Sequence, residues 1–124
     1  MKEEKTEQLE ALQVFGSYNE RLIKSIQSIV LELEGERKKD TDEFLEGIIK
    51  VINWEVSVLG NTMSLINEEK ESIKKEEIND CIIRISKALE KKIDSEIAKE
   101  LKEALPMFEK LGEIVGETVK RNEN

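Results

Sequence analysis

Apolar residues recur along the chain in steps of three and four. Leu12, Phe15, Leu22, Ile26, Ile29 and Leu33 form one stripe with Asn19 in its middle, flanked by Leu9, Gly16, Ile23 and Val30. That spacing predicts a helix over about 4–34, with an apolar face broader than a coiled-coil seam. Gly35 follows as the expected C-cap, and residues 36–39 are a charged loop. Asp40 then suits an N-cap, with Glu43 completing a capping-box pattern. The second helix, over about 41–66, is apolar around more than half its circumference, so it is expected to be the most buried.

Ile78, Cys81, Ile85 and Ala88 mark a third helix over about 73–91. The stripe fails at Lys92, and Asp94-Ser95-Glu96 reads as a new start capped by Asp94. A fourth helix over about 95–120 carries Ile97, Leu101, Phe108, Leu111, Val115 and Val119. Pro106 is expected to kink it without ending it, because the stripe continues in phase. The alternative is one long third helix reaching Leu105. Short loops favour antiparallel neighbours, so the expected fold is an all-α, up-down-up-down four-helix bundle, one domain spanning 1–124.

Composition narrows the function classes. Lys and Arg number 20 against 28 Asp and Glu, a net charge of -8. Such a surface repels nucleic acid and anionic membranes, and the five aromatic residues are not interleaved with basic ones. There is no histidine, which removes His-based nucleophilic systems and His-ligated metal sites. One cysteine, Cys81, excludes an internal disulfide. The opening Met1-Lys2-Glu3-Glu4-Lys5 is charged, and no apolar run is long enough to span a bilayer. The expectation is a cytoplasmic, non-enzymatic protein with no catalytic constellation, metal or cofactor.

Two segments carry a resemblance. Glu43-Phe44-Leu45-Glu46-Gly47-Ile48-Ile49, with Trp54 shortly after, is one. Ala88-Leu89-Glu90-Lys91-Lys92, followed by Leu101 and Leu105-Pro106, is the other. Together they resemble an uncharacterised bacterial family of small helical proteins. The resemblance implies four helices and nothing about chemistry.

Glu55 is the sharpest anomaly. It falls at the centre of the second helix's apolar arc, where an unpaired carboxylate is costly and must be protonated or paired. Asn19 is equally central on the first helix and is expected at the same height, with Thr62 two turns along the same seam. Three readings of this polar layer stand: a register device, a small pocket for a ligand or ion, or a groove filled by a partner. Beside it, Trp54 and the small or weakly polar strip Asn53, Ser57, Gly60 and Ser64 are candidates for a partner surface. The leading expectation is a protein-interaction bundle of adaptor, chaperone-like or immunity type with an unidentified protein partner. The alternative is a ligand- or ion-binding bundle centred on Glu55 and Asn19. Homodimerisation is also expected, from Met107 and Ile114 outside the fourth helix's main stripe.

Overall fold

The computed structural model of the chain describes residues 2–123. Among them are four α-helices and no strand: α1 (Lys2–Glu34), α2 (Thr41–Ile66), α3 (Lys75–Lys91) and α4 (Asp94–Asn122). The protein is an all-α four-helix bundle, as the periodicity predicts. Every member of the first stripe is buried, Asn19 included. Burial of each large aliphatic side chain contributes roughly 1.5–3 kcal/mol, so these stripes drive the assembly. α2 buries ten of its 26 residues, against eight of 29 in α4 and four of 17 in α3, so its long apolar run does lie deepest.

α1 and α4 form the most extensive helix pair; α2 packs on α1 and α3 on α4. Polar contacts fix the relative heights. Gln8 Nε2 donates to Asn61 O at 3.1 Å, and Thr41 Oγ1 to Glu32 Oε1 at 2.9 Å, which sets early α1 beside late α2. Lys102 pairs with Glu34 at 2.6 Å, and Asn19 with Phe108 at 2.9 Å, which aligns α1 with α4. Arg84–Glu100 at 3.5 Å and Lys91–Glu96 at 3.6 Å join α3 to α4.

The helix ends depart from the sequence reading. Gly35 does not take the left-handed conformation expected of a glycine cap; its N–H simply continues to Leu31 O at 3.0 Å. Asp40 makes no side-chain cap, so the capping box with Glu43 does not form. Thr41 supplies the local bonds instead: its buried hydroxyl accepts from Lys38 N at 2.7 Å while donating to Glu32. Asp94 is not the cap of α4. Ile93 holds that place, and the Asp94 carboxylate is gripped by Arg37 through Nε at 2.6 Å and Nη2 at 2.9 Å. Arg37 Nη1 also donates to Asp42 at 2.8 Å, so one guanidinium clips the α1–α2 loop to the starts of α2 and α4. That pairing holds the Asp94 carboxyl below its usual range.

The break between α3 and α4 falls at Lys92 and Ile93, and α4 runs unbroken through Pro106. Lys92 is the left-handed residue, with φ of 57° and its N–H bonded to Leu89 O at 3.2 Å. Asn67 builds the α2–α3 loop: its Oδ1 accepts from Ser72 N and Ile73 N, and its Nδ2 donates to Ile73 O, each at 3.0 Å. The loop thereby returns Ile73 to the core.

Candidate functional site

Glu55 is fully buried on α2, and neither carboxylate oxygen has a hydrogen-bond partner. Loss of water pushes its pKa from 4.5 up to about 8. The carboxyl is therefore neutral near neutral pH. Desolvation is the sole cause, because no charged neighbour contributes.

Asn19 is also buried, at 2% exposure, and its Nδ2 donates to Phe108 O on α4 at 2.9 Å. The carbonyl of Phe108 is approachable because Gly112 stands one turn further along α4. A Cβ on Gly112 would meet Asn19 Nδ2 at 2.8 Å, closer than side chains pack. Asn19 Oδ1 has no partner. Tyr18 and Trp54 touch across α1 and α2, so the residues that follow them, Asn19 and Glu55, stand at one level of the bundle. Asn19 Nδ2 does not donate to Glu55; its bond goes to α4. Thr62 donates within its own helix to Val58 O at 2.7 Å, so it belongs to no shared network.

The sequence-predicted partner strip is open. Asn53, Ser57, Gly60 and Ser64 are exposed along α2, and a Cβ on Gly60 would meet nothing within 4 Å. Trp54 is 37% exposed, and its ring lies 5.3 Å from that of Tyr18, itself 45% exposed. The Arg21 guanidinium sits 5.8 Å from the Tyr18 ring centre. Sequence reading singled out Trp54 but not Tyr18 or Arg21. Their positions one turn apart on the edge of the first stripe, opposite a tryptophan on the neighbouring helix, were the available signal.

A second feature escaped the sequence reading. Between α1 and α4 runs a groove of about 750 Å3, with Gly16, Gly112 and Gly116 among its lining residues and Asn19 reaching it. Three glycines inside helices were the signal, since each costs roughly 1 kcal/mol relative to alanine and so implies a need for space. Met107 and Ile114, outside the main stripe of α4, are half-buried and pack against the core. Among the described residues no group of three or more Cys, Asp or Glu is placed to hold a metal ion. Burial pushes the Cys81 thiol up, away from the reactive thiolate. No helix among them is long and apolar enough to cross a membrane.

The fold and its core thus define a class: a small all-α bundle with a buried carboxyl at mid-height. The chain belongs to the family described as a domain of unknown function, DUF8042, whose model matches residues 10–114. The resemblance to an uncharacterised family is borne out across most of the chain. No curated protein and no solved structure matches it.

Proposed function

We propose that the protein is a non-enzymatic, cytoplasmic interaction bundle of adaptor, chaperone-like or immunity type. It engages a partner protein through the face formed by Trp54, Tyr18 and Arg21 and the adjoining strip Asn53, Ser57, Gly60 and Ser64. The observation that carries this reading is the exposed Tyr18–Trp54 pair with Arg21 beside it. Trp, Tyr and Arg are the residue types that dominate binding hot spots, and here Tyr18 contacts both Trp54 and Arg21 at the surface. The open strip on the same helix lets a partner helix approach closely.

The test compares wild-type and Trp54→Ser baits in affinity capture from the source cells. A partner retained on the wild type and reduced at least about tenfold on the variant supports the reading. Equal recovery on both baits rules this face out. Trp54 is the only tryptophan. Its emission therefore reports docking directly, and a blue shift is expected when the purified partner is added. Sedimentation of the protein alone separates a second copy of the chain from a foreign partner. A second reading, a ligand-binding bundle, has one observation in its favour: the unpartnered Asn19 carbonyl beside the α1/α4 groove.

A further inference from the structure

We propose that α3 is a detachable strap. It leaves the bundle as a unit, hinged at Lys74 and Lys92, while α1, α2 and α4 stay packed, and its opening uncovers Cys81. The Trp54 face is built from α1 and α2, so this motion is independent of it.

Three observations set α3 apart from the other helices. The first is how little of it is buried. Eleven of its 17 residues are exposed. The core holds it through Ile78, Cys81, Ile85 and Ala88, with Ile82 and Leu89 half-buried at the edge. Stabilisation follows apolar area, so the small Cys81 and Ala88 contribute far less than the large side chains that seat α1 and α2. α4 is the one helix that α3 packs against extensively, whereas α1 packs on both α2 and α4.

The second observation is the weakness of its polar tethers. Among the described residues two ion pairs join α3 to α4, Arg84–Glu100 at 3.5 Å and Lys91–Glu96 at 3.6 Å. Both basic side chains are more than half exposed, and pairs of that kind contribute little. α1, by contrast, reaches α4 through the buried bond from Asn19 to Phe108 O.

The third observation concerns the ends. Lys74 precedes α3 and gives it no side-chain cap. Lys92 closes it in the left-handed conformation, at φ of 57°, which is strained for lysine and free of strain for glycine. Opening releases that strain. Just beyond both hinges the chain is fixed again. Asn67 ties down the buried Ile73 on one side, and Arg37 grips Asp94 on the other. A weakly held segment between two fixed points opens without loosening its neighbours.

Cys81 is the only cysteine and is 4% exposed, so its thiol reports the opening. The native protein is alkylated with iodoacetamide at constant pH and followed by mass spectrometry, with reagent dilute enough that closing outpaces alkylation. Cys81 is expected to react at least about 100-fold faster than the unfolded fraction from urea melts allows. The urea dependence of that reaction is expected to be less than about half that of global unfolding, because one short helix exposes little surface. Lys92→Gly relieves the closed-state strain and slows alkylation about fivefold. Ile26→Val, at a fully buried position of α1, raises the unfolded fraction about fivefold and leaves the alkylation rate unchanged. Amide exchange adds a second readout, in which residues 82–88 exchange as one block ahead of α1. The strap is overturned if alkylation has the full urea dependence of global unfolding, or if Ile26→Val accelerates it as much as it shifts the unfolding equilibrium. It is also overturned if Lys92→Gly reacts as fast as wild type, or if wild type without urea reacts as fast as the unfolded chain.

Discussion

On its α2 side, α1 sets Tyr18 against Trp54, and Glu55 lies buried one residue further on. On its α4 side, α1 presents Gly16 toward a groove that Gly112 and Gly116 also line. The two seams sit at one height and close in opposite ways. Large aromatic side chains meet across the first, and the buried Glu55 carboxyl at its level accepts no hydrogen bond from another side chain or the backbone. Small residues leave the second open, and the polar group inside it, Asn19, reaches a backbone carbonyl through the gap that Gly112 provides. A buried carboxyl that accepts no hydrogen bond acts on stability, because protonation relieves its burial. Polarity beside an open seam is met by the backbone instead, because the missing side chain at Gly112 lets the amide reach a helix carbonyl.

The sharpest way to break that contrast is to remove the buried carboxyl. Folding raises the Glu55 pKa from 4.5 to about 8. Between those values the folded state keeps a proton that the unfolded state has released, so stability falls as pH rises through the window and is level outside it. At about 1.4 kcal/mol per pH unit, the full window is worth about 5 kcal/mol. Glu55→Leu removes this dependence, and its stability in urea melts at about pH 9 is expected to exceed wild type by about 6–7 kcal/mol. At about pH 4 the gain shrinks to the difference between a neutral acid and an alkyl group, about 1–2 kcal/mol. A wild-type stability that stays level or rises between about pH 5 and pH 9 would count decisively against a dry, unpaired Glu55.

On the open side the largest expected loss is smaller. Gly112→Ala places a methyl where the Asn19 amide now sits. Alanine favours the helix by roughly 1 kcal/mol, while a broken buried hydrogen bond costs about 1–3 kcal/mol. A net loss of up to about 2 kcal/mol in thermal or denaturant unfolding is expected. The Asn19 side-chain NH2 resonances should also move toward free-amide positions. A stabilised variant with unmoved Asn19 signals would mean that the glycine is not there to admit the amide.

The elements themselves were legible because each stripe is long and in phase, so burial follows from spacing alone. Glu55 and Asn19 were legible for the same reason, as polar residues at the centre of apolar arcs. Their bonding was not. Whether Asn19 finds Glu55 or Phe108 depends on which helix lies closer, and on a glycine 93 positions away in the chain at Gly112. The helix ends misled because Asp40 and Asp94 are good caps by type, yet Arg37 draws Asp94 into a tertiary pair and Thr41 meets the local needs near Asp40. Lys92 takes the left-handed turn that Gly35 does not. Tyr18 did not stand out in the sequence, because its contact with Trp54 exists only once α1 and α2 are packed.

The aromatic pair gives a smaller stability effect than either polar residue. Trp54 is partly exposed, so Trp54→Ala loses one tilted ring contact and part of the ring's burial. A cost of about 1 kcal/mol is expected, with a far larger loss of partner binding. A destabilisation above about 3 kcal/mol would make Trp54 a core residue and remove it from the interaction face.

The smallest effect belongs to the two unobstructed glycines of the open seam, and it is the one whose sign separates the seams. Gly16 and Gly116 have helical backbones without positive φ, and a Cβ at either meets nothing within 4 Å. Gly16→Ala and Gly116→Ala should each therefore stabilise the protein by about 0.5–1 kcal/mol, from the lower backbone entropy of the unfolded chain. Gly112→Ala, on the same groove, moves the other way. Three glycines of one composition thus divide by what stands opposite them: open space at two, the Asn19 amide at the third. Thermal melts of the three single variants measure this directly. If all three shift Tm in the same direction, the groove is not organised around Asn19.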